Sequence, residues 1–189
     1  HLLILQNAAD AAVALAEYVA GTRSAFVDLM NQRVKQIGCI NTSFTDVHGV
    51  GSGNQYTTAR DMIRIMMEAT KNPIMFELLS AQKYTVKATN LSDERTFASL
   101  NYLMETTIVP KYNYKQVTSG FASYSANTGA SVVCTADSST DTKQGLNLVC
   151  VVMGATRQFA ENGWTVNNYG NFDEMVALNK ENRVAAFVG

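Results

Sequence analysis

Apolar residues recur at helical spacing over the first 80 positions and at strand spacing over much of the remaining chain. Ala8 to Ala20 is an alanine-rich run stopped by Gly21, and it predicts a helix. Phe26, Leu29, Met30, Val34 and Ile37 form the apolar stripe of a second helix from about Arg23 to Gln36, ended by Gly38. Ile40 to Phe44 reads as extended, and His48 to Asn54 as a loop. Thr58 with Asp61 three residues on resembles a capping box opening a helix to about Thr70, with Met62, Ile63, Ile65 and Met66 turned inward. Asn72 before Pro73 is a cap followed by proline at the first helical position, opening a short helix to Leu79.

Past residue 80 the period shortens. Tyr84 to Thr89 alternates like an edge strand, and Gln116 to Phe121 is a further candidate. Ser131 to Ala136 and Leu146 to Met153 are strong β runs joined by the polar turn Asp137 to Gly145, the pattern of an antiparallel hairpin. Phe172 to Asn182 returns to helical spacing, with Asn171 as a candidate cap. Helices, then an antiparallel sheet, then a closing helix define an α+β chain, with residues 1–80 the helical part and 81–189 the sheet and closing helix.

Composition adds mainly exclusions. With 189 residues, 47% hydrophobic and 16% charged, the chain can bury a core and is not a disordered segment. A net charge of -1 without a basic block argues against nucleic acid or an anionic membrane surface. The stretch Leu2 to Ala20 is interrupted by Gln6, Asn7, Asp10 and Glu17, so it is no membrane span, and it lacks the basic start and small-residue end of a signal peptide. A chain that opens inside an amphipathic helix reads as part of a longer protein. Cys39, Cys134 and Cys150 are an odd count without CxxC spacing; with only His1 and His48 beside them, neither a metal site nor a cofactor is expected. Buried free thiols are favoured, and a disulfide between neighbouring strands is the lesser alternative.

Four blocks carry a resemblance. Gln6 with Asp10 to Gly21; Asn41-Thr42-x-Phe44 with His48-Gly49; Tyr56-Thr57-Thr58-Ala59-x-Asp61-Met62; and Gly145 to Ala155 occur in the order and spacing of the low-molecular-weight penicillin-binding proteins, the serine D-Ala-D-Ala carboxypeptidases. The resemblance implies a β-lactamase/transpeptidase-like antiparallel sheet with helices on both faces, here with the N-terminal part missing. It also implies a location in the bacterial cell envelope outside the cytoplasm, and a peptidoglycan stem peptide or a protein partner as the bound species. Family chemistry uses a serine and lysine of S-x-x-K, the serine and asparagine of S-x-N, and a K-T-G strand that holds the terminal carboxylate.

Position by position, this chain departs from that pattern. It begins almost at S-x-N, so the nucleophile's place falls outside it. The string Ser80-Ala-Gln-Lys83 is expected about 0.5 times by chance from 12 serines and 8 lysines, and it sits at a helix-to-strand junction. Asn7-Ala8-Ala9 stands at S-x-N: the hydroxyl has become an amide and the amide a methyl. Asn7 then reads as a cap for the next helix. Near K-T-G the best alignment deletes one residue, placing Ala122 at the lysine and Ser123 at the threonine, with Ser125 as a further hydroxyl. No fixed cation remains there. His48 beside Gly49 reads as a turn residue rather than a base. The expectation is therefore a domain without catalysis, whose ligand-facing positions are Asn7, Ala9, Ala122, Ser123 and Ser125. The alternative is the C-terminal portion of an active enzyme whose nucleophile lies upstream. If the chain folds alone, something must fill the place of the missing part: a second chain, or the apolar Leu2 to Leu5 segment.

Overall fold

The computed structural model describes residues 1–50, 54–104, 106, 113–125, 128–137 and 147–155. The polar turn after Asp137 and the closing helix expected at 172–182, with Asn171 as its cap, lie outside them. The helical part comprises α1 (Leu2–Gln6), α2 (Ala9–Ala20), α3 (Arg23–Gln36), α4 (Ala59–Thr70) and α5 (Pro73–Ser80). Several boundaries have a local cause. Gly21 and Gly38 adopt positive φ where α2 and α3 end. The Thr22 hydroxyl accepts the Ala25 N–H, and the Asn72 carboxamide accepts from Ile74 and Met75 ahead of Pro73.

Two expectations about caps need correction. Thr58 Oγ1 does accept the Asp61 N–H, but the Asp61 carboxylate does not reach back to complete a capping box. It is drawn instead to Thr42, Asn41 and Arg64. Asn7 does not open α2. It closes α1 in the left-handed region (φ 54), and Ala8 takes the N-cap position of α2 without a side-chain bond. An asparagine tolerates that backbone better than most residues do.

Strand β1 (Lys83–Val86) pairs antiparallel with β2 (Arg95–Ala98) in a two-stranded sheet. It ends three residues before Thr89, and β2 is too short and too polar at its start to stand out in the sequence. Strands β3 (Val117–Ser125), β4 (Gly129–Asp137) and β5 (Asn147–Ala155) form a second antiparallel sheet in sequence order, so the expected β4–β5 hairpin pairing is present. β3 runs on to Ser125, four residues past the expected end.

Strand alternation divides this sheet into two apolar faces. Phe121, Val133, Val149 and Val151 pack with Ile4, Met66, Met75 and Leu79 of the helical part. Ala122, Val132, Cys134, Cys150 and Val152 turn the other way and meet Leu103. Leu5 is almost fully buried, and Ile4 packs against the Met66–Val133 cluster.

Candidate functional site

The α1–α2 joint lies against the edge of β3, and this brings two of the motif positions together. Asn7 Nδ2 donates to the Ala122 carbonyl over 3.1 Å, across 115 residues of sequence. The neighbouring chain is tied to the small sheet: Gln6 Nε2 donates to the Ala98 carbonyl at 2.6 Å, and the Leu100 N–H to the Leu5 carbonyl at 3.2 Å. The seam between helix joint and strand is thus built largely from backbone carbonyls held by amides.

The remaining positions are placed around this seam. Ala9 is the first residue of α2. The Ala122 side chain is buried and turned into the Leu103–Cys134 cluster, while Phe121 and Ser123 project from the opposite face. Ser123 is exposed, and Ser125 Oγ closes the β3–β4 turn by bonding Thr128 Oγ1 at 2.8 Å and accepting the Thr128 N–H. His48 Nδ1 accepts the Val50 N–H, and Asp46 accepts the His48 N–H, so the histidine is occupied in its own turn. Ser80 ends α5 and Lys83 begins β1, as their spacing indicated.

Two buried polar groups beside the seam, Asn101 and Ser119, escaped sequence reasoning. Asn101 is 1% exposed; its Oδ1 accepts the Leu103 N–H and its own N–H donates to Ser99 Oγ. Its amide nitrogen lies so close to β3 that a Cβ at residue 120 would collide with it, which explains glycine there. The only sequence signal was an asparagine opening a turn before two apolar residues. Ser119 is fully buried, and the register shift between Val117 and Ser119 lets Ser119 Oγ and Thr118 Oγ1 both reach Thr135 Oγ1, at 2.6 and 2.9 Å.

Asp61 is buried too. Burial by itself would raise its carboxyl pKa, but hydrogen bonds from Thr42 Oγ1 and the Asn41 N–H, together with the Arg64 guanidinium at 2.8 Å, outweigh this and hold it below 3.8. It ties the loop after α3 to the first turn of α4. Among the described residues no group of three His, Cys, Asp or Glu side chains could hold a metal ion, and no helix is long and apolar enough to cross a membrane.

This sheet, with its helical layer on one face and the motif positions at the β3 edge, has the penicillin-binding and transpeptidase fold. The structure superposes on a penicillin-binding protein homolog from Mycobacterium tuberculosis with TM-score 0.71 at 23% identity, covering 99% of this chain and 65% of that one. It superposes on penicillin binding protein 5 from Haemophilus influenzae with TM-score 0.69 at 27% identity, covering 93% of this chain and 44% of that one. The D-alanyl-D-alanine carboxypeptidase family model matches residues 1–157, and the chain belongs to that family. In sequence it is 48% identical over 60 residues to D-alanyl-D-alanine carboxypeptidase DacC of Escherichia coli, a match covering 32% of this chain and 15% of that protein. The chain thus spans less than two thirds of the length of these relatives.

Proposed function

We propose that this chain is a carboxypeptidase-like domain that engages a peptidoglycan stem peptide, or a protein partner, at the Asn7–Ala122 seam without turning it over. Its place is outside the cytoplasm, in the bacterial cell envelope, and residues 1–189 act as one such domain. One observation carries the reading: the Asn7 carboxamide, standing where the family has a serine hydroxyl, spends its N–H on the β3 edge carbonyl of Ala122. A carboxamide does not relay a proton as a hydroxyl does, and the Ala9 methyl offers no hydrogen bond in place of the second motif residue. With alanine at position 122 and an exposed serine at 123, the strand offers hydroxyls and backbone groups to a ligand but no cation for its carboxylate.

A second reading is favoured by the outer edge of β5, which has no partner strand among the described residues. An open sheet edge invites another segment, and an upstream segment bearing the nucleophile would make this the C-terminal part of an active serine carboxypeptidase.

Labelling with a fluorescent penicillin, followed by intact mass, separates the readings when applied to this chain and to a longer parent. No adduct on either supports the non-catalytic domain; an adduct on the parent alone supports the second reading. An adduct on this chain overturns the first. Binding is read separately, by titrating a peptide ending in D-Ala-D-Ala while following the backbone amide signals of residues 122–125. Unmoved signals at millimolar peptide would rule out the stem peptide as ligand of the seam.

A further inference from the structure

Cys134 in β4 and Cys150 in β5 are direct cross-strand partners, so their side chains leave the sheet on the same face and side by side. Directly opposed residues in an antiparallel pair have Cα atoms about 4.5–5.5 Å apart, inside the roughly 4.4–6.8 Å range that a disulfide spans. Both are free thiols. They differ in access. Cys134 is 4% exposed at the floor of the Leu103 cluster, whereas Cys150 is only half-buried on its margin. Cys39 is set apart from both: it is buried at the end of α3, and its thiol donates to the Asp61 carbonyl.

We propose that Cys134 and Cys150 form a thiol–disulfide exchange site, in which Cys150 attacks a small-molecule disulfide and Cys134 resolves the resulting mixed disulfide. In the first step the Cys150 thiolate bonds to one sulfur of the oxidant R–S–S–R, the S–S bond breaks, and one R–S⁻ leaves. In the second, Cys134 gives up its proton and attacks Cys150 Sγ, and the second R–S⁻ leaves. Two protein thiols are oxidised to one disulfide, and one external disulfide is reduced to two thiols. The difference in access supports this division of roles, since only Cys150 is open to an incoming disulfide. The neighbouring Cys134 thiol favours the Cys150 thiolate, whose pKa falls to about 7 despite burial, while the neighbouring Cys150 and burial push the Cys134 thiol well up.

The site also touches the seam. Cys134 is the cross-strand partner of Gly120, and a Cβ at Gly120 would lie 2.9 Å from Cys134 Cβ and collide with Asn101 Nδ2. Drawing Cys134 toward β5 therefore moves an atom that packs directly under the strand carrying Ala122.

The test is incubation of the folded chain with oxidised glutathione, then acid quench, alkylation under denaturing conditions, and peptide mapping. The expected product has lost two hydrogens, carries one alkyl group, on Cys39, and yields a peptide linked through Cys134 and Cys150. Three alkylated cysteines, a link to Cys39, or a glutathione adduct that persists on Cys150 would each overturn the proposal. Single variants test the order of attack: Cys134→Ser should accumulate glutathione on Cys150 roughly tenfold faster than Cys150→Ser accumulates it on Cys134. Equal rates would overturn the assigned roles, and the mapping of the unaltered chain decides the site itself even if a variant does not fold.

Discussion

At the scale of single residues, Asp61 and Gly120 are each closely held by their neighbours. Asp61 is 1% exposed and satisfied by an N–H, a hydroxyl and a guanidinium. Truncation to alanine would strand all three partners, and Asp61→Ala should cost about 2–3 kcal/mol in urea unfolding, the lower side of a broken buried pair because Arg64 can turn to water. Since the folded-state pKa lies below 3.8, the carboxylate stabilises the fold throughout the neutral range. That contribution declines as pH falls from the unfolded value toward the lower folded one, and it is gone below the latter. Acid titration of unfolding free energy should therefore show a loss below pH 3.8 that Asp61→Asn removes. Gly120 is constrained by space rather than by backbone angle. A methyl there would meet Asn101 Nδ2, Cys134 Cβ and the Val133 carbonyl, all within 2.9 Å. Gly120→Ala should thus destabilise by roughly 1–3 kcal/mol, read as a lower denaturant midpoint at unchanged slope.

At the scale of elements, the joint between α1 and α2 separates backbone from side-chain effects. Asn7 both occupies the left-handed region and holds the Ala122 carbonyl. Asn7→Gly keeps the first role and loses the second, whereas Asn7→Ala loses both. Alanine should be the more destabilising by about 1 kcal/mol, and equal midpoints in thermal unfolding would show that the backbone angle is not under strain. Thr58→Ala removes the cap of α4 and should cost about 1 kcal/mol. The helices were legible because their signals are local: the Asn72-Pro73 start, the Gly21 and Gly38 stops, and a 3.6-residue apolar period. Strand β2 was not legible. Arg95–Ala98 has only four residues, and what makes it a strand is its partner β1, with Thr85 and Thr96 hydroxyls bonded across the pair at 2.8 Å.

At the scale of the whole molecule, the two faces of the β3–β4–β5 sheet decide how mutations are felt. Met66 is 3% exposed between the sheet and α5, so Met66→Ala should cost roughly 2–5 kcal/mol, while Leu15→Ala, at a side chain 52% exposed, should stay within about 0.5 kcal/mol. A comparable loss at both positions in equilibrium unfolding would mean that the outer face of α2 is covered as well. The sequence by itself determined the family, the α+β class, four of the helices and the β4–β5 pairing, because each is written in neighbouring residues or in motif spacing. Only the tertiary structure decided that Asn7 ends a helix and meets Ala122, that the Asp61 carboxylate leaves its helix cap for Thr42, Asn41 and Arg64, and that Cys134 faces Cys150. Those outcomes rest on contacts between residues as much as 115 positions apart. Such contacts are chosen by competition among buried polar groups for the few partners that packing brings within reach, and no local pattern records who wins.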